Sequence, residues 1–163
     1  MKYKYIFLAL VLIIGIAAIL LYKSDKRKIK IRFENISQWV SKDAGENSIA
    51  TAIKANNIKA LFADQCHIEI EGSSRTGDYT PDEIAQKVSL AHMHFNDLSL
   101  QFYDMDINLS QKDVAKVLTT ARLTGRLKDR EKNSEISELA FILKKIEKQW
   151  FFTYIKQVEV LEK

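Results

Sequence analysis

The eighteen residues from Tyr5 to Tyr22, YIFLALVLIIGIAAILLY, carry no charge. As a helix rising 1.5 Å per residue they would reach about 27 Å, close to the roughly 30 Å hydrocarbon layer of a bilayer. A cleaved secretory signal needs a shorter apolar core ending in small residues at the cut. Here Gly15, Ala17 and Ala18 are followed by ILLY, so the oily run outlasts the cleavage candidates. The expectation is an uncleaved signal-anchor over residues 1–24, making the chain a single-pass membrane protein held in the lipid bilayer through residues 5–22, with a cleaved signal as the alternative. Tyr5 and Tyr22 suit the interfacial aromatic belt, and Lys2, Lys4 and Lys23 can snorkel outward. A single span without intramembrane polar residues argues against a channel or transporter part.

Two lysines precede the span, whereas Lys23, Lys26, Arg27, Lys28, Lys30 and Arg32 follow it. The positive-inside rule counts that distribution for a cytoplasmic C-terminal side. The short basic start before an apolar run is, in contrast, the layout of an export signal-anchor, and the expectation leans to an extracytoplasmic domain. The charge itself is uneven. Eight of the 25 Lys and Arg lie in residues 1–32, against Asp25 alone of the 21 Asp and Glu, so residues 33–163 carry a net charge of −3. The excess belongs to a membrane flank, residues 25–32, and no nucleic-acid partner is expected. The single cysteine, Cys66, cannot form an intramolecular disulfide and leaves the redox compartment open.

The remaining residues, 33–163, are one domain's worth, and one proline and five glycines leave little room for linkers. Ile29, Phe33, Ile36 and Val40 recur at helical steps with Trp39 beside them, predicting a first helix broken by DAGEN. A second helix with Ile49, Ala52, Ile53, Ala60, Leu61 and Phe62 inward is expected to end near Asp64. A third opens with TPDE: Thr80 as N-cap, Pro81 at the first helical position and Glu83 completing a capping box, with Ile84, Val88, Ala91 and Phe95 as its stripe. From Asp97 the period becomes two. LSLQFYDMDINL places Leu98, Leu100 and Phe102 on one face, then Tyr103, Met105, Ile107 and Leu109 on the other, a slip that predicts a bulge near Asp104. VAKVLTTARLTGRL alternates, whereas EISELAFILKKI and QWFFTYIKQVEVL are apolar on both faces for part of their length. With hairpins at DREKN and at Glu147–Lys148, helices first and strands after make an α+β domain.

This order resembles the nuclear-transport-factor-2-like superfamily, the cone-shaped α+β fold shared with polyketide-cyclase-like proteins. LFADQCHIEIEG looks like that family's second helix running into its first strand, and KKIEKQWFFTYI like its last hairpin. The resemblance covers roughly residues 30–163 and implies three helices packed on a strongly bent, mainly antiparallel sheet. The superfamily includes isomerases, dehydratases and epoxide hydrolases, but no catalytic signature carries over residue by residue. The implied cup would be lined by Leu98, Leu100, Phe102, Trp150, Phe152 and Tyr154, which either hold a small apolar ligand or simply fill the space.

Four polar features bear on catalysis. In CHIEIE, alternation puts His67, Glu69 and Glu71 on one face, able to bind a metal or trade protons, or merely wet; Cys66 with Ile68 and Ile70 reads as a small buried hydrophobe. His92 and His94 lie on opposite edges of the third helix and cannot clamp one ion, though one of them could be a base at a pocket mouth. Asp104 and Asp106 beside the bulge are either structural or a re-aimed base that would need a donor such as Tyr79, Tyr103 or Tyr154. No metal and no cofactor is expected. The leading expectation is a membrane-anchored ligand-binding or dimerising module without catalysis, its homodimer formed through the sheet. The alternative is an isomerase or dehydratase using a His/Asp pair in the cone.

Overall fold

A computed structural model describes residues 24–70, 76–127 and 131–158. The apolar run at residues 5–22, on which the anchor expectation rests, lies outside them. Among the described residues no helix is long and apolar enough to cross a membrane.

Three helices precede or flank a six-stranded sheet: α1 over residues 24–40, α2 over Ser48–Ile58 with a 3₁₀ turn at Lys59–Leu61, and α3 over Pro81–His94. The strands are β1 Phe62–Glu69, β2 Gly77–Tyr79, β3 Phe95–Gln111, β4 Val114–Leu127, β5 Lys132–Ile146 and β6 Gln149–Val158. Their order in the sheet is β2-β1-β6-β5-β4-β3, antiparallel throughout except where β1 runs parallel to β6.

The helices form where the sequence spacing puts them, with one change of face. Ile29, Phe33 and Ile36 are buried along one stripe of α1, which packs from Asp25 onward. In α2 the expected inward residues Ile49 and Ile53 are instead exposed, at 73% and 56%, and Ala55 and Ile58 are buried. Ile53 and Ile58 lie about 140° apart on a helix, so both cannot face the core. The chain favours Ile58 because Leu61 and Phe62, also buried, hand directly into β1, which begins before Asp64 rather than after it. In α3 the capping box is formed: the Thr80 hydroxyl accepts from the Glu83 N–H, and the Glu83 carboxylate accepts from the Thr80 N–H at 2.8 Å.

A straight strand of 17 residues would extend about 56 Å, whereas a domain of this size is roughly 35–40 Å across, so β3 has to bend. The bend is a bulge at Asp104, whose φ is +50°, between the pairs Tyr103↔Thr120 and Asp106↔Leu118. Phe102, Met105 and Leu109 all pack against the core, with Ile107 fully buried. The slip therefore returns Met105, Ile107 and Leu109 to the face of Phe102 rather than sending them to the opposite one, and leaves Tyr103 outside. Buried Thr119 donates its hydroxyl to the Tyr103 carbonyl at 2.6 Å, satisfying backbone that the bulge leaves unpaired. A second irregularity lies in β6, where Leu143 pairs with Phe152 but Ile142 pairs with Tyr154. The extra residue, Thr153, reverses the alternation for everything beyond it.

The helices lie on the concave face, with α1 along the middle of the cup. The Phe33 ring meets Phe102, Phe141 and Phe152 edge-to-face, with centroids 5.1, 4.9 and 5.1 Å away. At the start of α1, Asp25 accepts from the Lys145 ammonium at 2.8 Å and from the Trp150 indole N–H at 3.3 Å. At its far end Lys42 exchanges two backbone hydrogen bonds with Leu98, and Leu100 bonds the Ser37 and Ser41 hydroxyls, so the edge of β3 is covered there. The β5–β6 turn places Glu147 and Lys148 both at positive φ, 48° and 67°, as a two-residue hairpin with right-handed strand twist requires.

Phe33→Ala is expected to cost about 3–5 kcal/mol, read as a fall in urea midpoint at unchanged m. A second expectation concerns Asp25. Burial alone would push its carboxyl up, but the Lys145 ammonium and the Trp150 N–H outweigh that and hold it below the usual carboxylate range. Its folded value is depressed, so its contribution is complete above about pH 4 and is lost as pH falls toward that lower value. Asp25→Asn is expected to lower stability by about 1–3 kcal/mol at neutral pH, with the gap to wild type closing below about pH 4 in melts across a pH series.

Candidate functional site

Inside the cup the side chains are almost all apolar. Leu98, Trp150 and Phe152 are buried, and Phe102 closes against Phe33, so these four fill the interior on the side of α1. Nearer the start of β3, inward residues from five elements are only half-buried: Trp39, Val88, Leu100, Leu139 and Ile155. Leu123, which pairs with Leu100, is 38% exposed. Apolar side chains facing inward and left partly uncovered are what a cup presents to a hydrophobic guest. A smaller groove of 280 Å³ runs between α1 and β3, floored by Phe33, Phe102 and Met105 and rimmed by Lys30, Glu34 and Ser37.

The residues with acid–base chemistry lie elsewhere. His67 and Glu69 share the outer face of β1, opposite the fully buried Cys66, as alternation requires. Tyr154 stands there too. The irregularity at Thr153 turns it outward, and its ring stacks on His67 at 5.6 Å with a 10° tilt, instead of lining the cup. His67 Nδ1 lies 2.7 Å from Asp78 Oδ1, the side chains 40% and 64% exposed. Asp78 reaches His67 from β2 because β2 pairs antiparallel with β1 in the register His67↔Asp78. The Tyr154 hydroxyl donates to Glu69, which also pairs with Lys156 at 2.8 Å. Lys156 and then Tyr154 hold the Glu69 carboxyl below its ordinary range, and the bond to Glu69 pushes the Tyr154 phenol up. Below this cluster runs an outer groove of 530 Å³, whose walls include Asp64, Lys144, Phe151 and Thr153.

His92 is 3% exposed, and its Nε2 donates to the Val40 carbonyl at 2.9 Å. The Lys42 ammonium donates to the His92 and Phe95 carbonyls at 2.6 and 2.8 Å. Together they tie the end of α1 to the end of α3, which is a joint in the scaffold. His94 is exposed on the other edge of the helix. Asp104 and Asp106 are both exposed at the bulge, away from the cup. Tyr79 half-packs on the core with Lys87 over its ring, and Tyr103 lies outside under Arg122. Among the described residues no three His, Cys, Asp or Glu side chains come together to hold a metal ion. Burial pushes the Cys66 thiol up to about 12, with the Asp78 charge adding to it.

The partnership of His67 with Asp78 and the pairing of Asp25 with Lys145 and Trp150 were beyond reading from the sequence. Their members come together only through strand register, and no local pattern marks them.

Solved structures share this arrangement at low identity. A protein provisionally named as a scytalone dehydratase from Novosphingobium aromaticivorans superposes with a TM-score of 0.67 at 15% identity, over 85% of each chain. The Kfla4162 protein from Kribbella flavida gives 0.68 at 10% identity over 83% of this chain and 90% of its own. A hexachlorocyclohexane dehydrochlorinase, LinA-type3, from Novosphingobium barchaimii gives 0.64 at 11% identity over 83% and 86%. No protein-family model and no curated protein matches the sequence. Three helices on a bent six-stranded mixed sheet, superposing on these proteins along most of their length, give the chain the nuclear-transport-factor-2-like cone fold.

Proposed function

We propose that this protein is a membrane-tethered interaction module without catalysis, held by a span over residues 5–22, whose sheet pairs through its outer face with a second copy of the chain. One observation carries the reading: the helices cover only the concave face, and the outer face bears exposed Leu118 and Ile136 together with half-buried Ala140 and Ile142. On that face Leu118 lies opposite Ala140, with Ile142 one outward pair to one side and Ile136 two to the other, an apolar patch interrupted by Lys116, Thr120, Glu138 and Arg122. Lys116 and Arg122 on β4 and Glu138 on β5 give a two-fold partner opposite charges to meet. The full chain in detergent is expected to sediment as a dimer at micromolar concentration, and Leu118→Arg to weaken association by at least about tenfold. A wild-type monomer at that concentration would refute the pairing.

A dehydratase or dehydrochlorinase of the kind named among the structural neighbours, or an isomerase, would place its acid and base inside the cup. Here the His67–Asp78 pair is on the outer face and Asp104 and Asp106 point to water, which weighs against that reading.

The half-buried lining at Trp39, Val88, Leu100 and Leu139 favours a second reading, in which the cup holds a small apolar ligand. A fluorescent fatty-acid analogue is expected to bind and quench Trp39, with affinity reduced about tenfold or more when Leu139→Trp occupies the space. Equal binding by wild type and variant would exclude the cup as the site.

A further inference from the structure

We propose that the end of the domain where α1 begins is a docking surface for anionic lipid headgroups, made by Arg27, Lys28, Lys112, Lys144 and Lys148 around Ile146. It rests on the reading that residues 5–22 span the bilayer.

Three separate segments meet at this end. The Asp25 carboxylate joins the first turn of α1 to Lys145 and Trp150, and the Lys145 N–H donates to the Asp113 carbonyl at 2.8 Å, bringing the β3–β4 turn alongside. Arg27 and Lys28 are exposed on α1, Lys112 on one turn, and Lys144 and Lys148 beside the other. The acids nearby are Asp25, already paired with Lys145, Asp113 and Glu147 in the two turns, and Asp64, which lines the outer groove with Lys144 and Ile146. Positive charge therefore prevails locally in a domain whose residues 33–163 are net negative. Ile146, 47% exposed, stands among these lysines as an apolar residue able to enter the interface.

Chain length forces this end onto the membrane. Asp25 follows Tyr22 by three residue steps, a reach of at most about 11 Å, and the headgroup layer beyond the hydrocarbon is about 5–8 Å deep on each side. Whatever the tilt of α1, the turns fixed to Asp25 lie within about one Debye length of the lipid charge at 0.1 M salt. A basic residue at that distance strengthens attraction to an anionic surface about fivefold.

The test uses the full chain in vesicles of phosphatidylcholine alone or mixed with phosphatidylglycerol, carrying a nitroxide-headgroup lipid. A fluorophore is attached at Ile146→Cys; Cys66, 0% exposed, stays unlabelled. Quenching is expected to be about twofold greater in the anionic vesicles, to fall in 1 M salt where the Debye length is about 3 Å, and to be lost in K112E/K144E/K148E with an unchanged circular dichroism spectrum. Flotation after alkaline carbonate reports the span separately. Chain that resists carbonate but quenches equally in both lipids overturns the docking surface and leaves the span standing. Chain released by carbonate overturns the span; salt-sensitive binding to anionic vesicles before the wash would still uphold the docking surface, and no such binding would overturn it as well.

Discussion

One helix lying in the hollow of a bent sheet sets the terms for the rest of this molecule. Phe33 places its ring edge-on to aromatic side chains from β3, β5 and β6, three strands that come together only if the sheet curls around α1. Each such aromatic contact contributes about 0.5–1.5 kcal/mol beyond the area it buries, so the curl and the ring cluster reinforce one another. The Asp104 bulge makes the curl geometrically attainable. Thr119 makes it tolerable, because its hydroxyl takes up the Tyr103 carbonyl that the broken ladder leaves behind.

That construction also separates shape from chemistry. The cup is built from Leu, Phe, Trp and Ile, while His67, Asp78, Glu69 and Lys156 sit on the opposite side of β1 and β6. A water-exposed imidazole–carboxylate pair gains little from its partner compared with one in a dry pocket, since screening and solvation offset the attraction.

Legibility followed locality. The capping box of α3 was visible because Thr80, Pro81 and Glu83 act within one turn, and the bulge was visible because it breaks the parity of apolar residues inside a single strand. The face of α2 was misread because Ile49 and Ile53 match a helical stripe as well as Ala55 and Ile58 do, and the choice is made downstream, where Leu61 and Phe62 enter β1. Tyr154 was misplaced for a related reason: uniform alternation from Trp150 carries it inward, and the extra residue at Thr153 is apparent only from the pairing with β5. Asp78 meets His67, and Asp25 meets Trp150, across separations of 11 and 125 residues that no short pattern spans.

The solitary sulfhydryl of Cys66 is walled in by β1 and the core, with no accessible surface and little tendency to ionise. Mixed disulfides and thiol oxidants need a thiolate within reach, and this one offers none. The thiol chemistry of the folded domain is thereby the same in reducing and oxidising surroundings, and its interior would be unchanged on either side of a lipid barrier.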